Sequence, residues 1–160
     1  MLGRATEDAA EVAEMYEVEN DDNAVGELTE MEAWELLRQH EFGRLAYHLV
    51  GEVNLTPINY TTDGERIYFR TAEGSKLLGV TMNHDVAFEI DQFDQERAFS
   101  VVVHGRATVL EGHESDVVES LPLRPWVPTA KFHVIAIEPD QVTGRTFRLS
   151  KPWTHSRVDS

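Results

Sequence analysis

Cysteine is absent from the 160-residue chain, which excludes a disulfide framework, a thiolate nucleophile and any cysteine-ligated zinc or iron–sulfur cluster. Long apolar runs are absent too: none approaches the roughly 18 to 20 residues needed to cross a bilayer, so a soluble protein is expected. The first 22 residues are mostly Glu, Asp and Ala and lack the basic start and apolar stretch of a secretory signal, which makes a cytoplasmic location the expectation. Positive charge is scarce, with 14 Lys and Arg against 29 Asp and Glu for a net charge of −15. Such a balance opposes neutralising a phosphate backbone or an anionic lipid surface, so neither a nucleic-acid nor a membrane partner is expected. Also missing are a Gly-x-Gly-x-x-Gly turn after a strand, a Gly-Lys-Ser/Thr phosphate loop and a Gly-x-Ser-x-Gly elbow. Nucleotide hydrolysis and serine hydrolysis thereby lose their usual markers.

The length suits one core and leaves no room for a second folded unit. The acid is unevenly placed: the first 32 residues hold 11 acidic residues and one basic, leaving 18 against 13 for the remainder. Residues 1–27 therefore read as an acidic, partly disordered leader, residues 28–149 as the folded domain and residues 150–160 as a C-terminal tail. The leader can be read as a solubilising segment or as a partner-binding arm.

Thr29-Glu30-Met31-Glu32 has the form of a capping box, and Met31, Trp34 and Leu37 with Ala33 and Leu36 follow at helical spacing. A helix is predicted over 30–41, with Gly43 as its stop. From Arg44 the pattern changes to short alternating or β-branched runs between turn signals. Residues 44–50 and 52–60 read as a hairpin around Gly51. Asp63-Gly64 turns into a third strand, 66–70, completing a predicted meander. Residues 74–82 read as a short helix capped by Ser75. Strands follow at 86–93 and 98–110, the latter bending at Gly105. Residues 114–121 look helical, Pro122, Pro125 and Pro128 mark a crossing loop, and a last strand runs over 132–137, extendable past Pro139 to Phe147. Six antiparallel strands with a few short helices predict a mainly β fold, a small barrel.

Within it, Arg70-Thr71-Ala72-Glu73-Gly74-Ser75-Lys76 clusters two cations and two hydroxyls at a strand-to-helix junction. A phosphate monoester suits that composition: helix-start amides favour an anion, hydroxyls donate, Arg70 offers a fork and Lys76 a point charge. On spacing alone, ordinary capping by Ser75 and surface ion pairs of Arg70 and Lys76 explain the cluster as well. Pro57 lacks an amide donor and marks its strand as an edge or a bulge, with Leu55, Pro57 and Asn59 on one face and Thr56, Ile58 and Tyr60 on the other. Ser100, Val102, His104 and Arg106 share a face of the fifth strand. The seven histidines show no tight metal-binding spacing, although His48, His104 and His133 lie on predicted strands and could converge. No metal site is expected.

Taken in order, Phe42-Gly43-Arg44-Leu45-Ala46, Pro57-Ile58-Asn59-Tyr60, Phe69-Arg70-Thr71-Ala72-Glu73-Gly74-Ser75-Lys76-Leu77, Val86-Ala87-Phe88-Glu89-Ile90-Asp91 and Ser100-Val101-Val102-Val103-His104-Gly105-Arg106-Ala107 resemble the pyridoxamine 5′-phosphate oxidase-like, flavin-binding split-barrel family, over about Leu28 to Phe147. The resemblance implies a six-stranded Greek-key split barrel and a homodimer with flavin mononucleotide (FMN) in grooves between subunits. Arg70, Thr71, Ser75 and Lys76 would hold the phosphate beside Phe69, and Pro57, Ile58, Asn59 and Tyr60 would border the ring. Trp126 would cover the ring or plug the barrel. The chain lacks a convincing match to the C-terminal Arg and His residues with which authentic pyridoxamine phosphate oxidases grip substrate, so vitamin B6 oxidation is not expected. The resemblance implies a flavin-dependent oxidoreductase of unknown substrate. FAD, the deazaflavin F420 or haem are the other cofactors compatible with it, and a carrier or sensor without turnover is the competing role. Catalytic residues are not assigned, with Tyr60, His104 and His133 the only candidate acids or bases.

Overall fold

In the computed structural model the described residues are 24–72, 74–121 and 132–149. Most of the acidic leader, Trp126 with its three flanking prolines, and the C-terminal tail lie outside them. The chain runs β1 (Val25–Leu28), α1 (Glu30–Gln39), β2 (Phe42–Leu49), β3 (Glu52–Asn59), β4 (Thr61–Thr62), β5 (Ile67–Thr71), α2 (Ser75–Met82), β6 (Asp85–Phe93), β7 (Arg97–Leu110), α3 (His113–Glu119) and β8 (His133–Arg148). All strands join one antiparallel sheet in the order β3-β2-β6-β7-β8-β5-β4. Along the edge of β8 that faces away from β7, β5 takes the first part and β1 the last. The fold is mainly β, a curled sheet of the split-barrel kind. Eight strands replace the expected six because β1 and the two-residue β4 carry too few residues to show a period.

The α1 capping box forms as read, with the Glu32 amide donating to Thr29 Oγ1 at 3.2 Å and the Thr29 amide to Glu32 Oε2 at 2.7 Å. The helix buries Ala33, Trp34, Leu36 and Leu37 against the sheet, whereas Met31 is 80% exposed and does not belong to the packing stripe. Gly43 is no helix stop. It lies in β2, where an added Cβ would sit 2.4 Å from Phe88 Cζ, and the helix ends when His40 turns extended. The β2–β3 hairpin turns through Val50 and Gly51, both at positive φ, the geometry that matches strand twist.

The expected meander breaks at the third strand: β5 pairs with β8, not with β3. Tyr60 accounts for this crossing. Its ring enters the core beside α1 and meets Phe88 edge-on at 4.8 Å, and its hydroxyl donates to the Leu37 carbonyl at 2.7 Å, so the chain passes from one sheet edge to the other. The β7–β8 register shifts between His104 and Gly105, at the bend read from Gly105. Pro139, which has no amide to donate, is tolerated in a central strand because it sits at this irregularity. The main core gathers Tyr60, Ile67, Phe69, Phe88, Phe99, Ile135 and Ile137 inside the curl. A smaller cluster of Tyr68, Leu110, Val118, Val134 and Ala136 lies on the opposite side of the sheet, beneath α3.

Candidate functional site

The junction of β5 and α2 was the sequence's best candidate for an anion site. Strand alternation sends Arg70 and Thr71 to opposite faces. Arg70 stands outward, its guanidinium carbon 4.5 Å from the centroid of Phe132, and its Nε is shielded from water with no hydrogen-bond partner. A buried donor left unpaired costs free energy that a ligand acceptor would recover. Thr71 is buried, and its hydroxyl donates to the Ala72 carbonyl at 3.2 Å. Its expected role as a direct phosphate donor would need that bond to break.

Ser75 does not cap α2. The N-cap position falls on Gly74, no side chain closes the helix start, and Ser75 is exposed at the first turn. The first amides of the helix are thus left for another acceptor. A Cβ at Gly74 would meet nothing within 4 Å, so the space before these amides is open. Lys76 is half-buried on the same turn. Among the described residues no carboxylate forms an ion pair with Arg70 or Lys76. A phosphate fits what is present: one stacked guanidinium with an unused Nε, one ammonium, a hydroxyl and uncapped amides.

The ring-bordering segment divides. Pro57 is exposed and Asn59 half-buried on the outer face of edge strand β3. Ile58 and Tyr60 point into the core, as does Phe69 of β5, so these three reach a ligand only through their backbone. Burial first, and the Glu41 charge second, push the Tyr60 hydroxyl far above its ordinary range. That removes its side chain as an acid or base. His133 lies at the start of β8 opposite Thr71, while His48 and His104 line one open cleft of about 260 Å³ with Ala46, Val53, Asp85 and Ala87. Two of the three strand histidines therefore converge. Among the described residues no group of three metal-ligating side chains occurs.

One cluster escaped the sequence reading. On the outer face Arg44 Nη1 lies 3.2 Å from Asp91 Oδ2 and 3.4 Å from Glu89 Oε2, while Glu89 Oε1 is shielded without a partner. Burial, then the hydrogen bond and charge of Asp91, lift the Glu89 carboxyl to about 7 against the opposing pull of Arg44. The alternation of Glu89 and Asp91 in β6 was visible, but only the β2–β6 register puts Arg44 between them.

The pyridoxamine 5′-phosphate oxidase family matches residues 29–146. The chain belongs to this family. Among curated relatives, the uncharacterised protein Rv0080 of Mycobacterium tuberculosis is 35% identical over 127 residues, 75% of this chain and 84% of its own. A crystal structure from Corynebacterium glutamicum, named for pyridoxamine 5′-phosphate oxidase, is 39% identical with a TM-score of 0.74 and covers 82% of this chain and 99% of that one. The structure of a Mycobacterium smegmatis protein described as FAD-binding is 35% identical with a TM-score of 0.67, covering 78% of this chain and all (100%) of that one. Among the described residues no helix is long and apolar enough to cross a membrane.

Proposed function

We propose that this family member binds a flavin nucleotide and works as a flavin-dependent oxidoreductase. The observation that carries the reading is Arg70: a cation stacked on Phe132, with its Nε buried and unpaired, beside an uncapped helix start. Arg70, Lys76 and Ser75 with the first amides of α2 would hold the phosphate, with Thr71 shaping the strand end behind them. Pro57 and Asn59, with the backbone of Ile58 and Tyr60, would border the ring. FMN meets these requirements with one phosphate, and FAD presents the same ring and an adjoining diphosphate; the description of the M. smegmatis relative favours the dinucleotide. When bound, the flavin supplies two-electron transfer, and the chain orients it and excludes water.

The reading includes a homodimer. The outer face of β3, β2, β6 and β7 carries Leu55 and Val53 at 68% and 73% exposure beside half-buried Ala46, Ala87 and Val102. Continued onto β8, it also holds both signs of charge, Arg44, Arg106 and Arg145 against Asp85, Glu89, Asp91 and Glu138. A two-fold contact can pair such a face with itself. A second copy there would wall the groove beside Pro57 and Asn59.

A visible spectrum of the freshly purified protein, with mass spectrometry of the heat-released chromophore, tests the reading. A yellow protein releasing FMN or FAD is expected, and anaerobic addition of a reduced nicotinamide should bleach it. A colourless protein that ignores both added flavins overturns flavin binding; a haem or F420 spectrum replaces the cofactor. Tight flavin retention with no reductant or acceptor accepted would overturn the oxidoreductase role in favour of a carrier.

A further inference from the structure

We infer that pairing of two copies through the outer face is coupled to proton uptake, with Glu89 in the Arg44–Glu89–Asp91 cluster carrying the proton. The inference rests on the dimer proposed above and deepens it. One guanidinium nitrogen serves two carboxylates, so the cluster holds one negative charge in excess. Strand register places it in the row Pro57–Arg44–Glu89–Val102 across β3, β2, β6 and β7, so neither flanking strand offers Glu89 a second donor in its own row. Its Oε1 is already shielded and unpaired.

The charged and titratable neighbours on this face are few. Strand β2 contributes Arg44 and His48, β6 contributes Asp85 and Asp91, β7 contributes His104 and Arg106, and β3 contributes only Asn59 and Pro57 beside the cluster. Beyond β7, β8 contributes Arg145 opposite Ser100 and Glu138 opposite Arg106. Of these only Arg44 touches Glu89 with positive charge.

The three side chains of the cluster still keep 28% to 43% of their accessible surface. A second copy laid on the face would remove that water while the excess charge remained, an unfavourable step for an unpaired anion. A proton on Glu89 cancels the excess and supplies an O–H for Asp91 to accept. The covered face therefore holds the proton to higher pH than the open face, where the same carboxyl titrates at about 7. The sign follows: as pH rises through neutrality the separated copies lose protons that the pair retains, and association weakens. Two copies each retaining a proton would change Kd by up to about 100-fold per pH unit.

Sedimentation equilibrium of the full chain at pH 6.5, 7.5 and 8.5, at one ionic strength, reads this directly. The dimer Kd is expected to rise at least about tenfold from the lowest to the highest pH. Glu89→Gln, neutral at every pH and close in shape, should stay tightly paired with a flat profile, whereas His104→Gln should keep the wild-type slope. A pH-independent wild-type dimer, or an unaltered slope in Glu89→Gln, overturns the inference and leaves the dimer standing. A wild-type chain that is monomeric at all three values overturns the dimer itself and the inference with it. Should Glu89→Gln fail to fold, dilution calorimetry of the wild-type chain in buffers of different ionisation enthalpy counts the protons. Uptake of one to two per dimer supports the inference, and none overturns it.

Discussion

Replacing Arg70 with methionine is the sharpest test of the anion site. The side chain's apolar stem is retained, while the guanidinium, stacked 4.5 Å from the Phe132 ring, is removed. A charge-assisted hydrogen bond contributes about 1.5 to 3 kcal/mol, so flavin nucleotide affinity should fall by about 10- to 150-fold. The assay is quenching of flavin fluorescence on titration, run in parallel with FMN and with riboflavin, which has the ring but no phosphate. Arg70→Met should weaken FMN and leave riboflavin where it was. The ligand-free variant should lose little stability, because the lost contact with Phe132, about 0.5 to 1 kcal/mol, is offset by relief of the buried Nε that has no partner in the wild type. Lys76→Met should behave similarly, and the double variant should lose less than the sum because both cations meet one phosphate. Equal losses for FMN and riboflavin, or no loss for either, would refute the phosphate assignment.

Other consequences concern the frame that holds the site. Tyr60→Phe removes the 2.7 Å bond to Leu37 and strands a buried carbonyl, which should cost about 1 to 3 kcal/mol in denaturant titration. Gly105→Ala would put a Cβ 2.3 Å from the Glu138 carbonyl oxygen; backbone cannot yield as a side-chain tip can, so a loss of about 1 to 3 kcal/mol is expected as a lowered Tm. Asp63 is subject to burial, which raises its pKa, but donors from the Tyr68 hydroxyl and the Arg66 and Glu65 amides outweigh it and hold the carboxyl below its ordinary value. Its contribution is therefore present above the unfolded value of about 4 and lost as pH falls through the folded one. Thermal melts of wild type and Asp63→Asn should differ at neutral pH and converge in acid; a gap that widens in acid would contradict this.

Local signals were legible wherever short-range chemistry decides the backbone. The α1 capping box, the turn at Gly51, the turn at Asp63-Gly64 and the bend at Gly105 all stand where the residues put them. Strand partners were not legible, because period two says which face a residue takes and nothing about which strand lies beside it. The sequence order of β3 and β5 suggested a meander, but β5 lies at the other side of the sheet beside β8. Tyr60 carried the information: a tyrosine just after a strand, with a hydroxyl to satisfy, went to the helix that could accept it.

The candidate site divides along the same line. The composition of residues 70–76 exposed the cations and the helix start, with Arg70 near the end of β5 and Ser75 and Lys76 on the first turn of α2. Alternation along β5 was as readable there as along β3. Applied to adjacent residues, it sends Arg70 and Thr71 to opposite faces of the strand. Phe132 could not have been found from sequence, since it lies 62 positions away and reaches Arg70 only through the β5–β8 pairing. The same holds for Arg44 between Glu89 and Asp91, more than 40 positions apart in sequence. Groups that a chain supplies from one short segment can be read from composition, whereas a cation's stacking partner or a carboxylate's counter-charge is a product of register. In this fold the register of β8 with β5 and of β2 with β6 converts two unremarkable arginines into the residues on which the proposed binding and pairing turn.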